Sequence, residues 1–152
     1  MLLRLASLNA AYAATIDADR LEQWPDFFLA DCFYKITSAE NHKRGYAAGI
    51  VYADSRDMLR DRVTALRSAN IFERQSYRHI VGLPIPGILG PDGITAETPF
   101  LVSRTMRDGS MDLFATGVYL DRVQEHDGRL LFAERIVVCD SGHFDTLLAI
   151  PL

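Results

Sequence analysis

The stretch MDLFATGVYLDRV, residues 111–123, predicts the fold because its apolar residues alternate along the chain. Its side chains divide between two faces: Phe114, Val118 and Leu120 on one, and Ala115, Gly117 and Tyr119 on the other. Alternation with a period of two over this length is typical of a β-strand and not of a helix. We therefore predict a long strand in this part of the chain.

Three Asp-Gly pairs punctuate the chain around this strand at regular spacing: Asp92-Gly93, Asp108-Gly109 and Asp127-Gly128. Such pairs are strong signals for tight hairpin turns. The flanking segments TAETPFLVSRTM and RLLFAERIVVCDS are also predicted strands. Because no helix is predicted between them, parallel βαβ units are excluded, and we expect an antiparallel meander of about four long strands. Pro99 is expected at an edge or a bulge of its strand.

The first part of the chain is predicted to be helical. A first helix extends from about Leu2 to Asp19, and one stripe at helical spacing holds Leu5, Leu8, Tyr12 and Ile16. DRLEQWPDFF (19–28) follows as a short second helix, with Asp19 as its candidate cap.

A strand, a loop and a third helix follow. CFYKIT (32–37) has the aromatic and β-branched content of a strand, and SAENHKRGYAAG (38–49) is a polar loop. The third helix begins within ADSRDMLRDRVTALRSAN (53–70), where Asp54 or Ser55 is the candidate cap. Its apolar face is predicted to hold Met58, Leu59, Val63 and Leu66.

Helices followed by a curled antiparallel sheet make an α+β domain in which the helices cover one face of the sheet. Such a sheet can bend around the helices into a cone with a pocket inside. No internal repeat, low-complexity segment or linker interrupts the sequence, so we expect one domain over residues 1–152.

Composition excludes several classes of protein. Of the 152 residues, 49% are hydrophobic and 24% charged, which is ordinary for a globular protein, and no apolar run is long enough to span a membrane. The net charge of -4 gives no sign of a basic surface that would bind nucleic acid or anionic membranes. The start partly resembles a signal peptide, but Arg4 and Asn9 interrupt its apolar run, which favours a helix. Cys32 and Cys139 lie far apart in apolar runs, so we expect buried reduced thiols in a cytoplasmic protein.

The sequence contains no motif for a metal or a nucleotide. Its four histidines, His42, His79, His126 and His143, form no H-x-H, H-x₃-H or H-E-x-x-H pattern, and no C-x-H or C-x₂-H pair is present for a Rieske cluster. Neither G-x-x-x-x-G-K-[ST] nor G-x-G-x-x-G occurs. CDSG (139–142) lacks the G-x-S-x-G frame of a nucleophile elbow, so we expect a turn there.

Three residues form a candidate acid-base pocket. Tyr12 lies on the stripe of the first helix, Asp31 precedes the first strand, and His79 lies on a later strand. Burial inside the cone would raise the pKa of the aspartate and make it a usable acid or base. Structural roles for all three are the alternative. Arg78 points to the face opposite His79, where its guanidinium suits bidentate contact with a partner's carboxylate.

Several segments together resemble the small (β) subunits of ring-hydroxylating dioxygenases: EQWPDFF (22–28), YAAGIVYADSRDMLRDRV (46–63), YRHIVGLP (77–84), GVYLDRV (117–123) and ERIVVCDS (134–141). The start, residues 10–28, and the end, DTLLAIPL (145–152), most resemble the terephthalate branch of that family. The resemblance covers nearly the whole chain and is weakest at residues 85–98.

The resemblance implies a nuclear-transport-factor-like, cystatin-like α+β cone. It also implies a large (α) partner subunit that carries a Rieske [2Fe-2S] cluster and a mononuclear non-haem iron, in a hexamer with three copies of each chain. The small subunit would be structural and hold no cofactor. The whole assembly would carry out NADH- and O₂-dependent cis-dihydroxylation of an aromatic acid, with terephthalate favoured, and a separate reductase would supply the electrons. The resemblance assigns no chemistry to His79.

Assembly of this kind requires an interface, for which the sequence offers candidates: Arg78, Tyr46, Tyr52, Leu147, Leu148, Ile150 and Leu152. Packing of the apolar tail back onto its own cone is the alternative for the last four. Two rival functions also remain open: a stand-alone isomerase or dehydratase using Tyr12, Asp31 and His79, and a cone that binds a small ligand or acts as a scaffold without catalysis.

Overall fold

A computed structural model describes residues 1–47, 49–69, 75–144 and 150–152 of the chain. Its α-helices are α1 (Leu2–Asp17), α2 (Ala39–Lys43) and α3 (Arg56–Ser68), and a 3-10 helix covers Leu21–Phe27. Its strands are β1 (Phe28–Ser38), β2 (Val51–Ala53), β3 (Gln75–Val81), β4 (Ile85–Gly90), β5 (Gly93–Met106), β6 (Met111–His126) and β7 (Arg129–Cys139). None of these helices is long and apolar enough to cross a membrane.

All seven of these strands form one sheet in the order β2-β1-β7-β6-β5-β3, and β4 pairs with β5 beside β3. The meander predicted from the Asp-Gly pairs is confirmed, because β5, β6 and β7 are joined as antiparallel neighbours. The prediction of a wholly antiparallel sheet was wrong in one place, since β1 pairs with β7 in parallel. Nothing in the sequence of β1 indicates which distant strand it joins.

The three predicted turns connect β4 to β5, β5 to β6 and β6 to β7. Asp127 and Gly128 both have positive φ, 51° and 77°, as a two-residue turn of type I′ requires. Gly93 and Gly109 also have positive φ, which a residue without a side chain adopts at no steric cost. The alternation predicted for β6 is confirmed, because every odd residue from Ala115 to Val123 is buried.

Pro99 lies inside the sheet, yet its missing N–H is not needed. Strand β3 pairs with β5 as far as Phe100, and β4 begins to pair at Glu97, so Pro99 faces the break between them. Its carbonyl oxygen accepts from Gly82 N–H at 2.9 Å. Because N and O of one residue point to the same side of an antiparallel strand, the ladder with β6 loses no bond. The expected position on an edge strand was wrong. The proline is tolerated because β5 has no ladder partner on that side at this residue, where its pairing passes from β3 to β4.

Helix α1 covers the concave face of the sheet and packs on β3 and β7. Its predicted stripe is confirmed: Leu5, Tyr12 and Ile16 are buried, and Leu8 packs against the core at its margin. Helix α3 begins at the predicted Ser55, whose side chain accepts from the N–H of Met58 at 3.2 Å.

Two local predictions were wrong. Asp19 does not cap the 3-10 helix, which has Arg20 at its N-cap position. Asp19 instead has a positive φ of 60° and binds the guanidinium of Arg67 with both carboxylate oxygens, at 3.0 Å each. The predicted polar loop contains α2, because the Ser38 side chain caps the N–H of Asn41. A serine after a strand serves as a helix cap whenever the following residues turn.

Candidate functional site

The three residues of the predicted acid-base pocket have three separate environments. Tyr12 is fully buried in α1, His79 is buried on β3, and Asp31 is exposed on β1. The carboxylate that binds His79 is Asp17, the last residue of α1. The grouping of Tyr12, Asp31 and His79 was therefore wrong. The reason is that side chains alternate along β1, so Asp31 points outward where its neighbour Cys32 points into the core.

Asp17 and His79 form a buried pair between α1 and β3. Oδ2 of Asp17 accepts from the backbone N–H of His79 at 2.8 Å, and Oδ1 lies 2.6 Å from Nδ1. Since a carboxylate only accepts, the ring donates from Nδ1. Nε2 of His79 is buried and makes no hydrogen bond to any described residue. The pair fastens the end of the helix to the sheet. Sequence reasoning missed Asp17, whose only signal is its place next to the buried Ile16.

A charged cluster that the sequence analysis did not identify lies inside the cone. Arg135 on β7 is fully buried, and its guanidinium binds both carboxylate oxygens of Asp121 on β6 at 2.8 and 2.7 Å. It also donates to Asn9 Oδ1, and the Asn9 amide donates to Thr98 at 3.2 Å. The ion pair follows from the pairing register of β6 and β7, in which Asp121 and Arg135 are direct partners on the buried face. This register was the signal that sequence reasoning could have used.

Aromatic rings surround this guanidinium. The Cζ atom of Arg135 lies 3.9 Å from the ring centroid of Tyr119, 4.0 Å from that of Phe132 and 4.4 Å from that of Tyr12. Burial works to lower the pKa of Arg135, but Asp121 and the tyrosines raise it overall, so the group stays charged. Burial raises the pKa of Asp121, an effect that the adjacent guanidinium opposes.

Leu152, the last residue of the sequence, also lies inside the cone. Its main-chain oxygen accepts from the hydroxyls of Tyr12 and Tyr34, at 2.8 and 3.0 Å, and its side chain is 0% exposed. The prediction of Leu152 as an interface residue was therefore wrong, because packing on its own cone leaves no surface for a partner. Ile150 is partly buried against the same core. Leu147 and Leu148 lie outside the described residues.

Neither the cysteines nor the metal-binding residue types form a reactive centre in the described ranges. Cys32 and Cys139 are free and buried, and burial raises the pKa of their thiols to about 11 and about 12. Thiols with such pKa values are protonated and inert near neutral pH. Among residues 1–47, 49–69, 75–144 and 150–152, no three His, Cys, Asp or Glu side chains come together as metal ligands.

Exposed apolar residues on or next to β3, β4, β5 and β6 are here called the outer apolar surface. It consists of Ile80, Leu83, Ile85, Ile88, Leu89, Leu101, Met111 and Leu113, all exposed. Strand β4, with the sequence IPGILG, is exposed at every position and carries no charge. Arg78 points to the exposed face of β3 and His79 to the buried one, as predicted. Monomeric proteins rarely expose apolar bands of this kind unless they bind a partner.

Tyr46 and Tyr52, the other interface candidates, lie elsewhere on the surface. Both are about half exposed, and Tyr52 packs edge-on against Phe33 with ring centroids 5.3 Å apart. Their placement leaves them available to a partner, although neither belongs to the outer apolar surface.

Comparison with known proteins identifies the family. The model of the ring hydroxylating beta subunit family matches residues 11–145. The chain belongs to this family. As a β subunit it is 53% identical over 150 residues to subunit beta 1 of the terminal oxygenase component of terephthalate 1,2-dioxygenase from a Comamonas species, and 54% identical to subunit beta 2. Each match covers 99% of this chain and 97% of the relative.

A solved structure confirms the fold of this β subunit. The beta subunit assigned to an aromatic-ring-hydroxylating dioxygenase of Novosphingobium aromaticivorans superposes with a TM-score of 0.91 at 36% identity. The match covers 99% of this chain and 96% of that one. The predicted nuclear-transport-factor-like α+β cone and the predicted resemblance to dioxygenase β subunits are both confirmed. Members of this family are components of multicomponent oxidoreductases.

Proposed function

We propose that this chain is the structural small subunit of a dioxygenase that acts on terephthalate. The observation that carries the proposal is the identity of more than half over 150 residues with the two terephthalate 1,2-dioxygenase β subunits. The reaction proposed for the whole assembly is NADH- and O₂-dependent cis-dihydroxylation of this aromatic acid. A separate reductase passes electrons to the oxygenase.

The proposed partner is a large α subunit that holds the Rieske [2Fe-2S] cluster and the mononuclear non-haem iron, with three copies of each chain in a cytoplasmic hexamer. In this proposal the small subunit supplies no catalytic group. The buried polar groups of the cone support a structural role, because Asp17 binds His79 and Asp121 binds Arg135.

The outer apolar surface is the proposed docking site for the large subunit. Obligate interfaces bury about 2,000 Å² or more and are enriched in apolar residues, and an uncharged edge strand such as β4 requires cover. Arg78 stands on the same face of β3 as Ile80 and is suited to pair with a carboxylate of the partner. Tyr46, Tyr52 and Ile150 are secondary candidates for contact.

The test is co-expression of a tagged small subunit with the large subunit from the same organism. We expect a mixed complex that contains iron and oxidises terephthalate with a reductase, NADH and O₂. Ile88→Glu, at a position 78% exposed on β4, should reduce recovery of the large subunit at least about tenfold, because it buries an unpaired charge.

Leu3→Glu is the matched control, since Leu3 is also 78% exposed but lies on α1. It should assemble as the unmodified chain does. Equal recovery of the large subunit with both variants would contradict docking through β4. A small subunit that turns over a substrate by itself, and loses this activity in His79→Ala, would contradict the structural role.

A further inference from the structure

Arg56 and Arg129 line one cleft on the surface of the domain. The cleft lies between the 3-10 helix, the start of α3 and the β6–β7 turn. Its volume is about 450 Å³, within the range of clefts that take small molecules, roughly 300–1,000 Å³. Within the described part of the chain, neither guanidinium forms an ion pair with a carboxylate. The positive charge of this cleft is therefore not neutralised by the protein itself.

The other ionisable residues of the cleft do not reverse this balance. Asp26 is the one acidic residue among the described residues that line it, and its carboxylate lies 4.0 Å from the guanidinium of Arg60. His126 also lines the cleft and has its Nε2 atom 3.4 Å from the carboxylate of Asp127. Two arginines thus face one aspartate that already has a cation beside it. An anion placed between the two guanidinium groups would remove their mutual repulsion.

Both guanidinium groups have donors to offer to such an anion. The Nε and Nη2 atoms of Arg56 donate to the carbonyl oxygen of Phe28 at 2.9 and 2.6 Å, which leaves Nη1 for another acceptor. A side chain that is already ordered loses less freedom when it binds a ligand. The side chain of Arg129 makes no hydrogen bond to any described residue, so all five of its N–H donors are available. The planar fork of a guanidinium matches the two oxygens of a carboxylate.

Apolar side chains form the rest of the cleft and continue beyond it. Leu131 is buried in its wall, and Phe27 is partly buried against the core. A second cleft of about 440 Å³ shares Phe27 and Arg129 with the first, and Leu8 and Leu130 also line it. A ligand with its charge at the arginines can therefore lay an apolar group across Phe27.

We propose that the cleft between Arg56 and Arg129 binds a small organic acid. The carboxylate lies between the two guanidinium groups, and the apolar part of the molecule covers Phe27 and Leu131. An inorganic anion would leave the apolar wall unused, and a neutral apolar molecule would leave the arginines unused. This inference does not depend on the proposed function, because neither the outer apolar surface nor a large subunit enters it.

The test is a titration of the full-length chain with sodium hexanoate at constant ionic strength. It is followed by ¹H–¹⁵N NMR spectra that include the Nε–H signals of the arginines. We expect saturable shifts with a Kd of about 1–10 mM, in keeping with a ligand of this size. They should centre on the amides of residues 126–131 and on the Nε–H of Arg56. Shifts centred elsewhere, or none at about 50 mM, would overturn the proposal.

Two further probes separate recognition of the charge from recognition of the apolar group. Hexanamide has nearly the same shape as hexanoate without the charge, so it should bind at least about tenfold more weakly. Acetate keeps the carboxylate without the chain and should bind at least about fivefold more weakly, since it buries little apolar surface. Equal affinity of hexanoate with either probe would overturn the proposal.

A pair of variants tests the assignment to this cleft. Arg129→Gln should weaken hexanoate about three- to tenfold. It should leave the fold intact, because the Arg129 side chain has no partner among the described residues. Arg107→Gln is the matched control: Arg107 is exposed in the β5–β6 turn, likewise pairs with no described residue, and lies outside the cleft. This control should bind hexanoate as the unmodified chain does. Equal affinities in the two variants would overturn the proposal.

Discussion

Asp17 contacts His79 twice, with Oδ2 on the backbone N–H at 2.8 Å and Oδ1 on the ring Nδ1 at 2.6 Å. One carboxylate at the end of α1 therefore holds both the backbone and the side chain of a strand residue. This double contact gives a structural role to His79, the single histidine in a segment that also contains arginines. Its ring is used for attachment of the helix.

Breaking this pair should cost stability. Asp17→Ala leaves the His79 ring and N–H buried without an acceptor, for which we expect a loss of about 3–5 kcal/mol in the free energy of unfolding. Urea unfolding followed by circular dichroism measures it. Asp31→Ala is the control, because Asp31 is exposed, and it should change stability by less than about 0.5 kcal/mol. Equal effects of the two variants would show that the Asp17–His79 contact contributes little.

Removal of one partner of the Arg135–Asp121 pair should lower the free energy of unfolding more than removal of both partners does. Asp121→Leu leaves a buried guanidinium without its carboxylate and should cost about 3–5 kcal/mol. Adding Arg135→Met should recover most of this loss, since apolar residues of similar volume replace a buried ion pair at little cost. Urea unfolding of the four proteins of this double-mutant cycle gives the coupling energy. Additive losses would contradict a coupled pair.

The buried tyrosines should make stability fall in alkali. Burial raises the pKa values of Tyr12, Tyr34 and Tyr119 above the usual 10.0. Their contribution is thus fully present below pH 10.0 and is lost as pH rises toward the folded-state values, because the unfolded chain ionises first. Tyrosinate absorbance should show that at least three of the six tyrosines ionise only as the protein unfolds. Ionisation of all six near pH 10 without unfolding would refute this.

The two thiols should be unreactive in the folded protein. Their pKa values, raised by burial to about 11 and about 12, leave almost no thiolate at neutral pH. Ellman's reagent at about pH 8 should therefore modify neither cysteine quickly, and both after unfolding in guanidinium chloride. Rapid modification of one thiol in the folded state would contradict its burial.

Loss of the Leu152 side chain should destabilise the cone. Leu152→Ala removes a fully buried side chain and should cost about 2–5 kcal/mol, measured by urea unfolding. Ile150→Ala is the comparison, because Ile150 is only partly buried and should cost less. A Leu152→Ala protein as stable as the unmodified one would show that this residue does not pack as described.

Patterns of short range were predictable from sequence, whereas pairings between distant residues were not. The period of two in β6 and the Asp-Gly turns identified the meander, and the stripe of α1 identified its buried face. The parallel pairing of β1 with β7 has no local signature, because any strand with both faces covered looks alike. The same limit applies to the site: Tyr12 and His79 were recognised as buried, but their partners Leu152 and Asp17 lie 140 and 62 residues away.

The parallel pairing of β1 with β7 also sets the order in which a newly made chain completes its fold. Residues Phe28 and Phe132, about a hundred positions apart, are neighbours in the sheet, and contacts of such separation form slowly. On the ribosome, β1 and β2 can pair with each other, but they cannot join the rest of the sheet until β7 has emerged. The helical first third of each small subunit must therefore wait, exposed to chaperones and proteases, for nearly the whole of its own synthesis.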